Sequence, residues 1–116
     1  MTSPPRDSAL ENQILIHELT HGISSRLSGG ADNANCLTSP LAGGMGEGWS
    51  DMMALILTSS VDDKRDTNRP LAPFVSGNPV KGLRTFPYST NLNVNPLTYS
   101  VLNDPGKNLI MLFQHP

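Results

Sequence analysis

The chemistry of this chain concentrates in five consecutive residues, His17-Glu18-Leu19-Thr20-His21. In a helix, residues four apart lie on one face, so the imidazoles of His17 and His21 can reach a single cation. Glu18 points slightly around the helix from the first imidazole and can face a water on that cation without ligating it. Two nitrogen ligands beside one carboxylate base make the arrangement that metal-assisted hydrolysis of a peptide bond requires. The plain alternative is a pair of surface histidines beside a solvated glutamate, since a five-residue pattern also arises by chance.

A catalytic zinc takes three protein ligands and keeps a fourth position open. One class draws the third ligand from the pattern H-E-x-x-H-x-x-G-x-x-H. Here the glycine position holds Ser24 and the last histidine position holds Leu27, which excludes that class. The other route is a glutamate from a following helix, with an aspartate one turn later. Gly46-Glu47-Gly48-Trp49-Ser50-Asp51 supplies both. Glu47 and Asp51 share a face of an otherwise apolar helix, where an unpaired carboxylate is costly. A Zn²⁺ ion on Glu47 removes that cost. Asp51 can accept a hydrogen bond from the ring nitrogen of His17 or His21 that faces away from the metal, fixing the ring's orientation. His17, His21 and Glu47 are thus the expected ligands of one Zn²⁺ ion, Glu18 the expected general base, and Asp51 the expected support of a ligand. Its competing role is a helix-surface acid bonded to a loop.

The expected fold is mainly α. Ser8 and Glu11 read as a capping box opening a helix over 8–28. Along it Leu10, Ile14, Leu15, Ile16, Leu19, Ile23 and Leu27 recur near the helical period, and Gly29-Gly30 ends it. Residues 29–45 are rich in Gly, Asn, Ser and Pro and read as a loop. A second helix is expected over 46–60, its Trp49, Met52, Met53, Leu55, Ile56 and Leu57 forming a nearly continuous apolar surface that predicts burial on most sides, with Trp49 in the core. Asp62-Asp63-Lys64-Arg65-Asp66 reads as a solvated bend. Prolines at 70, 73, 79, 87, 96 and 105 restrict residues 61–116 to a turn-rich segment over the helices. Asn108 to Phe113 reads as the start of an apolar element.

Composition bounds the rest. The 116 residues suit one small domain, and 37% hydrophobic with 5% aromatic content is thin for a self-sufficient core. A net charge of −2, without a basic patch, argues against a nucleic-acid partner. The longest apolar stretch, Met52 to Leu57, is too short to span a bilayer. MTSPPRDSAL holds no apolar core of a signal peptide. Cys36 is the single cysteine, so neither an internal disulfide nor a cysteine-based zinc site can form. Tyr88, Tyr99 and His115 are candidate donors to a developing oxyanion, though packing or loop bonding is the default for each. Arg26 and Arg84 could meet a substrate carbonyl or carboxylate, with local salt bridges as the default.

Beyond these residues, the run ILIHELTHGISSRL from Ile14 to Leu27, then Gly29-Gly30, Asn35-Cys36-Leu37 and Gly43 to Asp51, resembles the fungalysins, secreted fungal relatives of thermolysin. Arg84 to Thr90 and Asn95 to Tyr99 are similar to the same family. The resemblance implies two packed active-site helices of a thermolysin-like (gluzincin) catalytic domain, followed by a Pro-rich loop segment. It implies a secreted, extracellular zinc metalloendopeptidase of broad specificity, hydrolysing proteins or peptides by metal-activated water. It also implies a zymogen, whose propeptide would be an intramolecular partner. His17 and His21 match the family's histidine ligands, Glu18 its acid/base and Glu47 its third ligand. Leu19 departs from the aromatic common at that position. Family members are much longer, so residues 1–116 are expected to be a partial catalytic domain. The alternative function is a catalytically inactive zinc-binding fragment of such an enzyme.

Overall fold

The computed structural model describes residues 5–103; Asn108 to Phe113 and His115 lie outside them. It is mainly helical, built on α1 (Asn12–Gly29) and α2 (Pro40–Leu57), with a short α3 (Pro73–Ser76) and 3-10 turns at Ser8–Leu10 and Tyr99–Asn103. Among the described residues, β pairing is limited to two isolated bridges, Arg69 with Tyr88 and Leu71 with Gly82.

The capping box does not form. Asp7, not Ser8, caps the 3-10 turn by accepting from the Ala9 amide at 2.9 Å. The Glu11 carboxylate is used elsewhere: its Oε2 accepts from the amides of Phe74 at 2.8 Å and Val75 at 3.2 Å. That tertiary use ties the start of α1 to the start of α3. Gly30, at φ +80°, ends α1 as the glycine pair predicts.

α2 begins six residues before the expected start at 46. Ser39 caps it by accepting from the Ala42 amide at 3.3 Å, and Pro40 occupies the first turn, where its missing N–H costs nothing. Glycines 43, 44, 46 and 48 therefore lie within the helix, although each disfavours it by about 1 kcal/mol relative to alanine. Packing explains one of them: a Cβ on Gly43 would come within 3.3 Å of the Leu37 carbonyl oxygen, whereas one on Gly46 would meet Leu37 and the His21 ring at ordinary contact distances of 3.6–3.9 Å.

α1 and α2 run antiparallel, as three successive contacts along them show. Gln13 donates to Thr58 Oγ1 at 3.0 Å, His17 lies beside Asp51, and His21 lies beside Gly46. The buried face of α1 is Gln13, His17, Thr20 and Ser24, and that of α2 is Gly44, Gly46, Ser50, Asp51, Ala54 and Leu55. The helices thus meet through small and polar residues. Leu15, Leu19, Ile23 and Leu27 face outward on α1. The expectation of a second helix buried on most sides is not met. Trp49 is 44% exposed rather than core, and Met52, Met53, Ile56 and Leu57 are also exposed. Residues 5–103 supply too little covering chain for an all-round apolar helix.

The core comprises Ala54, Leu55, Leu71, Ala72 and Tyr88, with Ile14 and Ile16 packed against it. Segment 61–103 is turn-rich and closes over the helices through a few fixed points. Gln13 Oε1 accepts from the Ala72 amide at 2.6 Å. Arg69 donates to the Leu55 and Thr58 carbonyls at the end of α2, and its guanidinium pairs with Asp63. The Arg69 and Tyr88 backbones exchange hydrogen bonds of 2.8 and 2.9 Å. These points bring Arg84 and Tyr88 against α2.

Candidate metal centre

The antiparallel crossing brings one turn of α1 opposite one turn of α2. His17 and His21, one turn apart, both turn their Nε2 atoms toward Glu47. The two Nε2 atoms are 3.0 Å apart, His17 Nε2 is 3.4 Å from Glu47 Oε2, and His21 Nε2 is 3.2 Å from Glu47 Oε1. Ligand atoms 2.0–2.2 Å from a tetrahedral ion are about 3.3–3.6 Å from one another. The imidazole separation is just below that edge length, and each imidazole lies close to it from a different Glu47 oxygen, so one ligand atom from each of the three residues falls within 4.8 Å of the others. The donor set, two neutral-capable imidazoles and a carboxylate, suits a divalent metal of zinc type. Among the described residues this is the one His/Cys/Asp/Glu group so disposed. Cys36 is exposed and takes no part; its sulfur is 3.3 Å from Asn33 Nδ2.

Behind the ligands, Asp51 is 1% exposed. Its Oδ1 is 2.7 Å from His17 Nδ1, the ring nitrogen opposite the one that faces Glu47. The approach is close but not aligned as a straight hydrogen bond, for His17 Nδ1 has no partner of regular geometry. Arg84 grips both carboxylate oxygens, Nη2 to Oδ1 at 2.6 Å and Nε to Oδ2 at 2.7 Å. The same Nη2 reaches Glu47 Oε2 at 3.4 Å. Tyr88 donates its hydroxyl to Asp51 Oδ2 at 2.7 Å.

The electrostatics follow from these contacts. Burial pulls the Asp51 pKa upward, but His17, Arg84 and Tyr88 outweigh it and hold the carboxyl below its ordinary value. Burial disfavours the Arg84 cation, and the bonds and charge of Asp51 more than compensate, raising its pKa. Tyr88 is pushed well above the ordinary phenol range, by burial first and then by the Asp51 charge.

Glu18 is exposed and lines the same pocket as His17, His21 and Glu47. That pocket, of about 430 Å³, is completed by Ile14, Leu71, Leu83 and Arg84. Of the candidate oxyanion donors, Tyr88 is buried with its hydroxyl committed to Asp51, and Tyr99 is exposed in the final 3-10 turn. Neither lines the pocket. Arg26 bonds locally, its Nη1 donating to the Ala31 carbonyl at 2.6 Å. The tie of Tyr88 to Asp51 was missed from the sequence; its only local signal is an arginine and a tyrosine four apart in Arg84-Thr85-Phe86-Pro87-Tyr88.

Two packed helices that converge two imidazoles and a carboxylate, backed by an arginine-bound aspartate, define a candidate site for a divalent metal. Comparison with known proteins gives the chain a family. The model of the fungalysin metallopeptidases (M36) matches residues 1–111, and the chain belongs to that family. It is 51% identical over 102 residues to the extracellular metalloproteinase MEP of Pyricularia oryzae, covering 88% of this chain and 16% of the relative. It is 51% identical over 98 residues to extracellular metalloproteinase 2 of Phaeosphaeria nodorum, covering 84% and 15% respectively. With the extracellular metalloproteinase mep of Aspergillus fumigatus it shares 49% identity over 102 residues, 88% of this chain and 16% of that one. The chain therefore spans about a sixth of the length of these relatives.

Proposed function

We propose that this chain carries the active-site helices of a thermolysin-like (gluzincin) zinc endopeptidase that hydrolyses peptide bonds in extracellular proteins. The observation that carries this reading is the convergence of His17 Nε2 and His21 Nε2, 3.0 Å apart, on the two Glu47 carboxylate oxygens at 3.4 and 3.2 Å, in a chain of metallopeptidase family. His17, His21 and Glu47 would hold the ion. When bound, zinc supplies a Lewis acid that lowers the pKa of water and polarises the scissile carbonyl. Glu18, exposed on the pocket wall, takes a proton from the attacking water and returns it to the leaving amine. Asp51 keeps the far nitrogen of His17 facing away from the metal side. Secretion follows from the likeness to relatives named extracellular metalloproteinases, and zymogen control from the family.

A second reading, a zinc-binding fragment without turnover, is favoured by one observation. Among the described residues lining the pocket, the hydrogen-bond donors are Arg84 and the two histidines, and Arg84 is already engaged by two carboxylates. One pair of measurements separates the readings: zinc content and peptide hydrolysis of the purified chain and of Glu18→Gln. The peptidase reading expects about one zinc in each, with hydrolysis reduced at least about 100-fold in the variant. Zinc in both with equal background rates supports the inactive fragment. Absence of zinc from both contradicts either reading.

A further inference from the structure

We propose that Tyr88 is a positioning residue for the metal site: its hydroxyl fixes the Asp51 carboxylate, which in turn sets the His17 imidazole. The inference rests on the metal-binding reading of His17, His21 and Glu47.

The geometry is that of a carboxylate with each oxygen shared between two neighbours. Oδ1 meets Arg84 Nη2 and His17 Nδ1, and Oδ2 meets Arg84 Nε and the Tyr88 hydroxyl. The Arg84 fork fixes the carboxylate within one plane, and the same guanidinium also reaches Glu47 Oε2 at 3.4 Å. Tyr88 supplies the fourth contact from an independent direction. Its ring is 5% exposed within the core of Ala54, Leu55, Leu71 and Ala72. Its backbone pairs in both directions with Arg69, and the Arg69 guanidinium is anchored to the last carbonyls of α2. The hydroxyl is therefore held at a fixed height above the turn of α2 that carries Asp51.

His17 makes this positioning matter. Its Nδ1 is buried, 2.7 Å from Asp51 Oδ1, yet poorly aligned. A small rotation of the carboxylate changes which orientation and tautomer of the ring that contact holds, and hence how Nε2 is presented toward Glu47 and His21. A phenol buried only for packing would need no charged acceptor; this one is aimed at the group behind a ligand.

Tyr88→Phe removes the oxygen and leaves the ring in the core. The full chain and the variant are compared by zinc affinity in chelator competition, by side-chain ¹⁵N spectra of His17 in the zinc-free state, and by thermal midpoint with chelator present. Tyr99→Phe, which alters an exposed phenol, is the control. Zinc binding is expected to weaken about 10-fold in Tyr88→Phe, the lower end of the range for partners behind a ligand. The His17 spectrum should move from the Nδ1-protonated tautomer to a mixture. A Tyr88→Phe protein with a lower thermal midpoint but unchanged zinc affinity and His17 tautomer overturns the proposal and leaves Tyr88 as packing. The wild-type spectrum tests it independently of the variant's folding: a His17 protonated at Nε2 in the zinc-free chain overturns it too. Failure of the wild-type chain to bind zinc removes the metal-binding reading and this one with it, whereas zinc bound equally by both proteins removes this one alone.

Discussion

Asp51 is the side chain on which the polar geometry converges, and its removal should be felt in folding as well as in metal binding. Asp51→Ala leaves the Arg84 guanidinium partly buried without its main partner, an error that costs about 3–5 kcal/mol when a buried pair loses one member. Urea midpoints of wild type and variant measure it; a difference below about 1 kcal/mol would show that Arg84 finds solvent instead. Tyr88 gives a pH signature. An unfolded tyrosine loses its proton near pH 10, whereas the native phenol, buried beside Asp51, holds its proton to higher pH. The native state then binds more protons than the unfolded one, so stability is full below about pH 10 and falls as pH rises beyond it. Tyr88→Phe should flatten this alkaline limb in denaturation series; identical limbs would contradict the raised pKa. The proximity of His17 to His21, and of Glu47 to Asp51, could be read from sequence because i to i+4 spacing fixes it within one helix. Arg84 and Tyr88 could not. They reach Asp51 from 33 and 37 residues further along the chain, and no local period encodes that approach.

At the scale of elements, α1 was legible and the start of α2 was not. Hydrophobic recurrence and the terminal glycines located α1 to within a few residues. The glycines of 43–48 read as loop because each disfavours a helix, whereas the Ser39 cap, with Pro40 in the first turn, opens α2 ahead of them. The shared metal site implies that the histidine face of α1 meets the Glu47 face of α2, but periodicity predicts burial of an apolar α2 surface that is in fact exposed. α1 turns its polar stripe, Gln13, His17, Thr20 and Ser24, to its neighbour. The segment after α2 depends on Gly82. Its φ is +69°, and a Cβ there would meet the Leu71 carbonyl oxygen at 2.0 Å and the Leu71 nitrogen at 2.7 Å. Gly82→Ala should therefore break the Leu71–Gly82 bridge and displace Arg84, destabilising the chain by at least about 1–3 kcal/mol. Chemical denaturation checks the loss; a variant as stable as wild type would mean that the bridge does not hold this segment.

At the scale of the whole molecule, Leu15, Leu19, Ile23 and Leu27 on α1, with Leu41, Met45, Trp49 and Ile56 on α2, leave much apolar surface open. Exposed apolar surface, where it is contiguous, binds apolar ligands or partners. The chain alone should enhance the fluorescence of an apolar dye such as ANS, and a longer relative carrying the same helices should do so far less; equal, weak responses would mean that the helices are covered in both. No described helix is long and apolar enough to cross a membrane. The account as a whole depends on one ion gathering donors from two helices. X-ray absorption at the zinc edge of the zinc-loaded chain tests that most directly. Two imidazole nitrogens and a carboxylate oxygen at about 2.0–2.2 Å are expected, with zinc lost in Glu47→Ala. A sulfur scatterer at about 2.3 Å, or zinc retained unchanged in Glu47→Ala, would contradict it.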